Sequence, residues 1–167
     1  MAIEIERPRK FTAHEFERKI VQMASIGHRH AACVANLNKR LVTGVGDRAL
    51  VWVQGPARLA IDSVPEPDLA LLRSHSYRSG APRPDEVLLV VEVAESSLRY
   101  DQTVKLRLYA SAGVPEYWIV SVEGEWIEVC RSPADERYRE RSRVARGEVI
   151  VPVAFADVRI SVDDVFA

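Results

Sequence analysis

The chain contains almost no cysteine and no long apolar run. Only two cysteines occur in 167 residues, Cys33 and Cys130, and both lie in apolar patterns. We therefore expect buried free thiols, and no Cys/His spacing typical of a zinc site is present. No stretch is apolar enough to span a bilayer, and residues 1–10 are too polar for a signal peptide. These absences predict a protein of the reducing cytoplasm with no membrane partner.

Several common function classes lack their sequence signatures here. There is no Walker motif, no Rossmann glycine fingerprint and no nucleophile elbow. The formal net charge is −1, from 23 basic and 24 acidic residues, although arginines concentrate in the carboxyl-terminal third and between Arg73 and Arg83. A near-neutral total neither supports nor excludes a nucleic-acid partner, because a local basic face would matter more.

Hydrophobic periodicity predicts one α/β domain over residues 1–167. Predicted helices cover residues 12–15, 28–42 and 101–112, with buried stripes at Cys33, Val34, Leu37 and Leu41 and at Val104, Leu108 and Ala112. Predicted strands cover residues 20–23, 49–54, 57–61, 68–72, 87–94, 115–122, 125–131 and 137–143, and a turn at 162–166 ends the chain. Strands interrupted by one helix indicate a mixed β-sheet flanked by helices.

A lone glutamate lies inside the most apolar of these strands. Glu92 sits in Val-Leu-Leu-Val-Val-Glu-Val-Ala at 87–94, and this run predicts a central strand covered on both faces. Alternation places Glu92 on the same face as Leu88 and Val90. An ionised carboxylate removed from water costs several kcal/mol unless donors or cations meet it. Taken alone, Glu92 is equally consistent with an ion pair at the sheet end and with a functional site.

Further charged residues frame this glutamate. Asp68 follows Pro67 and begins a short apolar strand, where a turn aspartate is the simpler interpretation. Asp101 and Lys105 are four residues apart on a predicted helix, with Tyr109 one turn later, which is also the spacing of an ordinary intrahelical ion pair. Together, two acids and a lysine supply what phosphodiester hydrolysis requires: carboxylates for Mg²⁺ or Mn²⁺, and a cation for developing charge.

The motifs around these residues resemble the Uma2 family. They are PEPDL at 65–69, VEV at 91–93 and YDxxxKLxLYAxAGVPEYWIV at 100–120. That family is similar to the PD-(D/E)xK restriction-endonuclease superfamily, and the resemblance runs from about Met23 to the carboxyl terminus. It implies a restriction-endonuclease-like fold, metal-binding acids at Asp68 and Glu92, and a catalytic lysine at Lys105.

The chain departs from the family patterns in three places. A standard PD-(D/E)xK nuclease has its lysine two residues after the glutamate, where this chain has Val93, and Lys105 on the next helix takes that role. Ser121 replaces an aspartate common after Trp-Ile-Val. Residues 1–22 are shortened: a hairpin that family members carry before Met23 is missing, together with the acid it brings, for which Glu17 is a weak substitute.

Other residues have weaker signals. His30 fits a family histidine at the start of the long helix, where it would bind phosphate or substrate or simply cap the helix. Gln54 matches a glutamine of the subfamily and would line the cleft or make a strand-end hydrogen bond. Glu66 is an accessory acid or a solvated side chain, and the tryptophans are expected in the core. Alternation on a strand places Arg137, Arg139, Arg141 and Arg143 on one face, either as phosphate contacts or as a charged edge strand.

The sequence thus predicts a Mg²⁺- or Mn²⁺-dependent endonuclease that acts on DNA. Asp68 and Glu92 bind the metal, Lys105 assists water or phosphate, and Asp101 and Tyr109 support the site. A homodimer would give a small nuclease a second active site and more DNA contact, but the sequence does not show one. The alternatives are a catalytically degenerate nuclease fold that binds nucleic acid or protein, and a two-carboxylate glycoside hydrolase, against which Lys105 argues.

Overall fold

Six strands form one mixed sheet in the computed structural model, which describes residues 27–60 and 63–167. Their spatial order follows the chain from β1 to β6, and every neighbouring pair is antiparallel except β3 and β4, which are parallel. The strands are β1 (Ala49–Val53), β2 (Leu69–Arg73), β3 (Val87–Ala94), β4 (Glu116–Ser121), β5 (Trp126–Ala134) and β6 (Arg137–Ala145). The predicted mixed sheet flanked by helices is confirmed.

Helices cover both faces of this sheet. Helix α1 (His28–Val45) precedes β1, and a continuous helical stretch connects β3 to β4. We call this stretch the site helix; it consists of α2 (Leu98–Tyr100), a π-helical segment (Asp101–Lys105) and α3 (Leu106–Ser111). A two-stranded ribbon, β7 (Val149–Ile150) with β8 (Ile160–Ser161), and a short helix, α4 (Val162–Val165), follow. No helix in the described ranges is long and apolar enough to cross a membrane.

Strand β3 lies inside the sheet, with a hydrophobic core on each of its faces. On one side, Leu37 and Leu41 of α1 pack in the same core as Leu89 and Trp118. On the other side, the site helix contributes Leu106, Tyr109 and Ala110 to a core that contains Val90 and Ile119. The double coverage explains why the strand has an almost uninterrupted apolar sequence. The prediction of a central, doubly covered strand is confirmed, as are the buried free thiols Cys33 and Cys130.

The predicted alternation along β3 is wrong at its first two residues. Leu71 pairs with Leu89 but Leu72 pairs with Val87, so Leu88 is left without a partner in the ladder. This bulge exchanges the two faces: Val87 packs on the side of the site helix and Leu88 against the α1 side. From Leu89 onwards the alternation holds, and Glu92 lies on the face that the site helix covers.

The predicted buried stripe of the site helix is wrong at Val104, whereas Ala112 packs against the core as predicted. Val104 is 51% exposed, whereas Leu106, Tyr109 and Ala110 are buried. In the π-helical segment the Leu106 N–H donates to the Asp101 carbonyl, five residues back. The wider turn rotates the following residues around the helix axis, so a stripe drawn at the α-helical period fails. The helix also begins at Leu98, three residues before the predicted start.

The remaining predicted elements differ in extent. Residues 57–60 do not form a sheet strand and have one isolated bridge, Ala60 with Ser63. Helix α1 continues three residues past the predicted end to Val45. Among the tryptophans, Trp118 is fully buried, while Trp52 and Trp126 are only partly buried. The predicted elements at 12–15 and 20–23, the missing hairpin and Glu17 lie outside the described residues.

Candidate active site

A pocket of about 300 Å³ opens at the end of β3 where that strand leaves the sheet. Its described lining residues are Gly27, His30, Glu66, Asp68, Glu92, Val93, Glu95, Ser96, Ser97 and Lys105. They come from the start of α1, the segment before β2, the end of β3 and the site helix. The pocket therefore assembles residues that are far apart in the sequence at the carboxyl end of a central strand, where open α/β sheets bind ligands.

Asp68 is fixed at this pocket through one of its carboxylate oxygens. Oδ2 accepts a 2.8 Å hydrogen bond from the Val93 backbone N–H and lies 3.2 Å from His30 Nε2. Because β2 and β3 are antiparallel, the start of β2 lies beside the end of β3, where Val93 is located. Within the described part of the chain, no hydrogen bond to Oδ1 is present.

Glu92 is the most deeply placed acid of the pocket and is only 3% exposed. Its Oε1 accepts a 2.5 Å hydrogen bond from the Tyr109 hydroxyl, and its Oε2 lies 2.8 Å from Lys105 Nζ. Burial raises the pKa of Glu92 to about 7, and the nearby charge of Asp68 adds to this rise, although Lys105 and Tyr109 oppose it. The carboxylate thus changes its charge close to neutral pH.

Lys105 joins two buried acids. Its Nζ also lies 3.3 Å from Oδ1 of Asp101, an oxygen that has no partner with hydrogen-bond geometry. Oδ2 of Asp101 accepts a 2.5 Å hydrogen bond from the Ser97 hydroxyl. Burial alone would lower the pKa of Lys105, but the carboxylates of Glu92 and Asp101 outweigh it and raise that pKa. The ammonium group is therefore held charged at the floor of the pocket.

The oxygen ligands in the pocket are suitable for a hard divalent cation. Asp68 and Glu92 line one pocket, and Mg²⁺ is commonly held by one or two carboxylates plus waters and substrate phosphates. Among the described residues no cluster of three or more His, Cys, Asp and Glu side chains offers a complete protein cage. The described residues therefore fit an open Mg²⁺ or Mn²⁺ site that shares its ion with water and substrate, and they do not by themselves complete a closed structural site.

The structure brings most of the sequence-predicted site residues together and separates others. Asp68, Glu92, Lys105 and His30 line the pocket, with Asp101 and Tyr109 bonded to the lining side chains. Glu66 also lines it and is exposed. Gln54 is not among the described lining residues: it is exposed, has a φ of 47°, and donates its backbone N–H to the Asp68 carbonyl.

Sequence reasoning missed several residues at this site. Ser97 holds Asp101, the Val93 N–H holds Asp68, and Glu95 lines the pocket. A Cβ on Gly27 would lie 2.0 Å from Glu95 Oε2, so the start of α1 approaches that acid closely. The one available signal was a polar cluster, Glu-Ser-Ser at 95–97, directly after the apolar strand.

The four arginines of β6 do not share one face, contrary to the prediction. Tyr138 packs in the core beneath the site helix, whereas Val144 packs against the opposite core. In a regular strand these two residues, six positions apart, would face the same side. The strand therefore changes face between them, opposite Ser132 of β5, whose φ is 58°. Arg141 and Arg143 consequently lie on the side of the site helix and Arg137 on the other side, while Arg139 lies at the change of face. The alternative prediction of a charged edge strand is consistent with the position of β6 at the sheet edge.

Other buried acids of the sheet are neutralised locally, away from the pocket. Glu116 is fully buried, and its Oε1 accepts hydrogen bonds of 2.9 Å each from Arg131 Nε and Trp118 Nε1. Glu128 accepts from Gln102 Nε2 at 2.6 Å and from Arg141. These bonds leave no pocket-facing role for either acid, so burial of a carboxylate does not by itself identify the site.

Comparison with known proteins places this chain in a family described as a "putative restriction endonuclease". The model of the Uma2 family, described as "Putative restriction endonuclease", matches residues 3–163. The match begins well before Met23, where the resemblance in the sequence motifs started. We find no significant match among curated protein sequences.

Two solved structures are similar to this chain. One is a "putative nuclease belonging to DUF820" from Anabaena variabilis ATCC 29413, with a TM-score of 0.67 at 16% identity over 84% of this chain and 81% of that chain. The other is the type IIG restriction endonuclease BpuSI, with a TM-score of 0.48 at 20% identity over 82% of this chain and 15% of that chain. The similarity to the Anabaena variabilis structure confirms the predicted nuclease-like fold.

Proposed function

This chain belongs to the Uma2 family, and from that premise we propose that it is a Mg²⁺- or Mn²⁺-dependent endonuclease that hydrolyses phosphodiester bonds in DNA. One observation carries the proposal: Asp68, Glu92 and Lys105 come from three separate elements and line one pocket. Two acids and a charged lysine in a cleft at the end of a central strand match the needs of phosphodiester hydrolysis.

Asp68 and Glu92 are the residues that would hold the metal ion. A bound divalent ion would lower the pKa of a water molecule and neutralise charge on the phosphate. The chain's own contribution is to present Oδ1 of Asp68 while the Val93 N–H and His30 fix Oδ2. Such outer contacts orient a ligating carboxylate.

Lys105 would supply the fixed positive charge next to the reacting phosphate. Its ammonium is anchored between Glu92 and Asp101 and remains about one quarter exposed, so it faces the pocket as well as the core. Preorganised charge of this kind costs no rearrangement when charge develops on the phosphate. Ser97 supports the arrangement because it holds Asp101, and Tyr109 supports it because it holds Glu92.

The proposal is tested by incubating the purified protein with plasmid DNA, single-stranded DNA and RNA, with Mg²⁺ or Mn²⁺ and with EDTA. We expect metal-dependent cleavage of DNA by the wild type and by Glu66→Gln, an exposed acid of the same pocket. Asp68→Asn, which preserves the shape of the side chain, should be inactive. Metal-dependent binding of DNA without cleavage would instead support the catalytically degenerate binding module, and equal activity of Asp68→Asn would overturn the site.

A further inference from the structure

We propose that Arg143 and Arg141 form a subsite that binds the backbone of the nucleic-acid strand flanking the cut position, on the face of the sheet that bears the site helix. The inference rests on the proposed nuclease function and adds to it the path of the substrate. Arg137, on the same strand, faces the other side of the sheet and is outside this subsite.

The cross-strand register connects Arg143 to the pocket. Glu92 pairs with Ile119, Ile119 with Glu128, and Glu128 with Arg143. Paired residues on neighbouring strands point to the same face, so this row places Arg143 on the face of Glu92. Three strand spacings separate the backbones of Glu92 and Arg143, roughly 14 Å. That span corresponds to about four nucleotides along one DNA strand at about 3.4 Å each.

Packing contacts independently assign the same face to these arginines. Cys130 and Ile119 belong to the core under the site helix, and Arg141 pairs with Cys130. Arg141 also donates to Glu128, which in turn accepts from Gln102 of the site helix. Hydrogen bonds through Glu128 thus join the edge strand to the helix that carries Asp101 and Lys105.

Arg143 is free to bind an anion. It is exposed and has no ion-pair partner among the described residues; its guanidinium lies 4.1 Å from the ring centroid of Trp126. When a guanidinium lies over an indole ring, its N–H donors point outward in the plane of the guanidinium. They are therefore available to phosphate oxygens. Trp126 is the first residue of β5 and pairs with Ser121 at the end of β4, so it lies at the same end of the sheet as the pocket.

Arg141 has a different part in the subsite. Its Nε and one terminal nitrogen are engaged by Glu128, and the side chain remains exposed. Arg141 and Arg143 are two residues apart on one strand, roughly 7 Å, and both face the side of the site helix. We therefore assign the main phosphate contact to Arg143 and use it for the test, because substitution of Arg141 would leave Glu128 poorly paired.

The test is fluorescence anisotropy of labelled duplex and single-stranded DNA with the full chain in EDTA, at several salt concentrations, together with cleavage in Mg²⁺. The variants are Arg143→Gln, Arg143→Lys and the matched control Arg137→Gln, an exposed arginine of the same strand. For Arg143→Gln we expect several-fold weaker binding and a slope of log K against log salt that is smaller by about 0.9 for duplex or 0.7 for single strands. Arg143→Lys should keep the slope, and Arg137→Gln should behave like wild type.

If the wild type binds and cleaves DNA, equal effects of Arg143→Gln and Arg137→Gln would overturn the subsite and leave the nuclease function intact. Binding that depends on Arg143 in a protein that does not cleave would support the subsite and count against catalysis. A wild type that neither binds nor cleaves either form of DNA would overturn both.

Discussion

The Tyr109 hydroxyl donates a 2.5 Å hydrogen bond to Oε1 of Glu92 inside the core, 17 residues away in the sequence. The bond joins the site helix to the central strand, and it meets an acid whose other oxygen contacts Lys105. Each oxygen of the buried carboxylate is therefore satisfied by a different residue of one helix. Because the bond favours the ionised form of Glu92, Tyr109 tunes the charge of the proposed metal site as well as its shape.

Removal of this hydroxyl should affect both stability and metal binding. For Tyr109→Phe we expect a loss of about 1.5–3 kcal/mol in the free energy of unfolding above pH 7, since a hydrogen bond to a charged group is lost. The pKa of Glu92 should rise, and the pH at which Mn²⁺ binding is half-maximal should rise with it. Urea unfolding and calorimetric Mn²⁺ titrations across pH measure the two effects.

Tyr138→Phe is the matched control for Tyr109→Phe. Tyr138 is also buried and donates its hydroxyl to the Val114 carbonyl at 2.9 Å, outside the pocket. It should destabilise the protein without moving the pH dependence of metal binding. An equal pH shift in both variants would show that the Tyr109 contact has no specific effect on Glu92.

The raised pKa of Glu92 predicts opposite pH trends for stability and for metal binding. Glu92 ordinarily titrates near 4.5 and here near 7, so folding favours its protonated form. Its contribution to stability is fully present below about 4.5 and is lost as the pH rises through about 7. Metal binding needs the ionised form and should strengthen with pH, by about tenfold per unit below 7, and then level off.

Glu92→Gln separates this carboxylate from other titrating groups. Urea unfolding of the metal-free protein between pH 4.5 and 8 should show a smaller decline in stability for the variant than for wild type. An identical decline in the two proteins would mean that Glu92 titrates at its ordinary pKa.

Replacement of Lys105 should separate catalysis from metal binding. Lys105→Met keeps much of the side-chain volume but removes the charge, and we expect cleavage to fall by about 10²-fold or more. Mn²⁺ should still bind at pH 8.5, although the pKa of Glu92 rises without its cation. Lys105→Arg, which restores a charge, should recover part of the activity. Unchanged cleavage by Lys105→Met would show that the lysine has another role.

Much of the fold was predictable because hydrophobic periodicity is local. The apolar run of β3 gave its bounds and its central position, and the apolar face of α1 indicated Leu37 and Leu41 as core residues. Deviations from regular backbone were not predictable in this way. The bulge at Leu88 and the π-helical segment at Asp101–Lys105 each shift the pattern by about one residue through hydrogen bonding, which side-chain hydropathy does not report.

The site residues were predictable for a partly different reason. Burial of an acid suggested Glu92, but Glu116 is equally buried and is satisfied by Arg131 and Trp118. The family motifs that contain Asp68 and Lys105 distinguished Glu92, as a site residue, from Glu116. Ser97 remained hidden because its role depends on the start of the site helix, which the sequence pattern placed too late.

The prediction that the four β6 arginines share one face failed because of a contact with another strand. Strict alternation assumes a regular strand, and β6 changes face opposite Ser132, a non-glycine residue with positive φ. Nothing in the sequence of β6 itself carries that information, because the irregularity belongs to its partner strand.

The most direct test of the central claim, that Asp68 and Glu92 hold a divalent metal, is calorimetric titration of Mg²⁺ and Mn²⁺ into the wild type, Asp68→Asn and Glu66→Gln at pH 8. We predict that wild type and Glu66→Gln bind one ion per chain at millimolar concentrations or below, and that Asp68→Asn does not. Absence of binding to the wild type, or equal binding by Asp68→Asn, would contradict the claim.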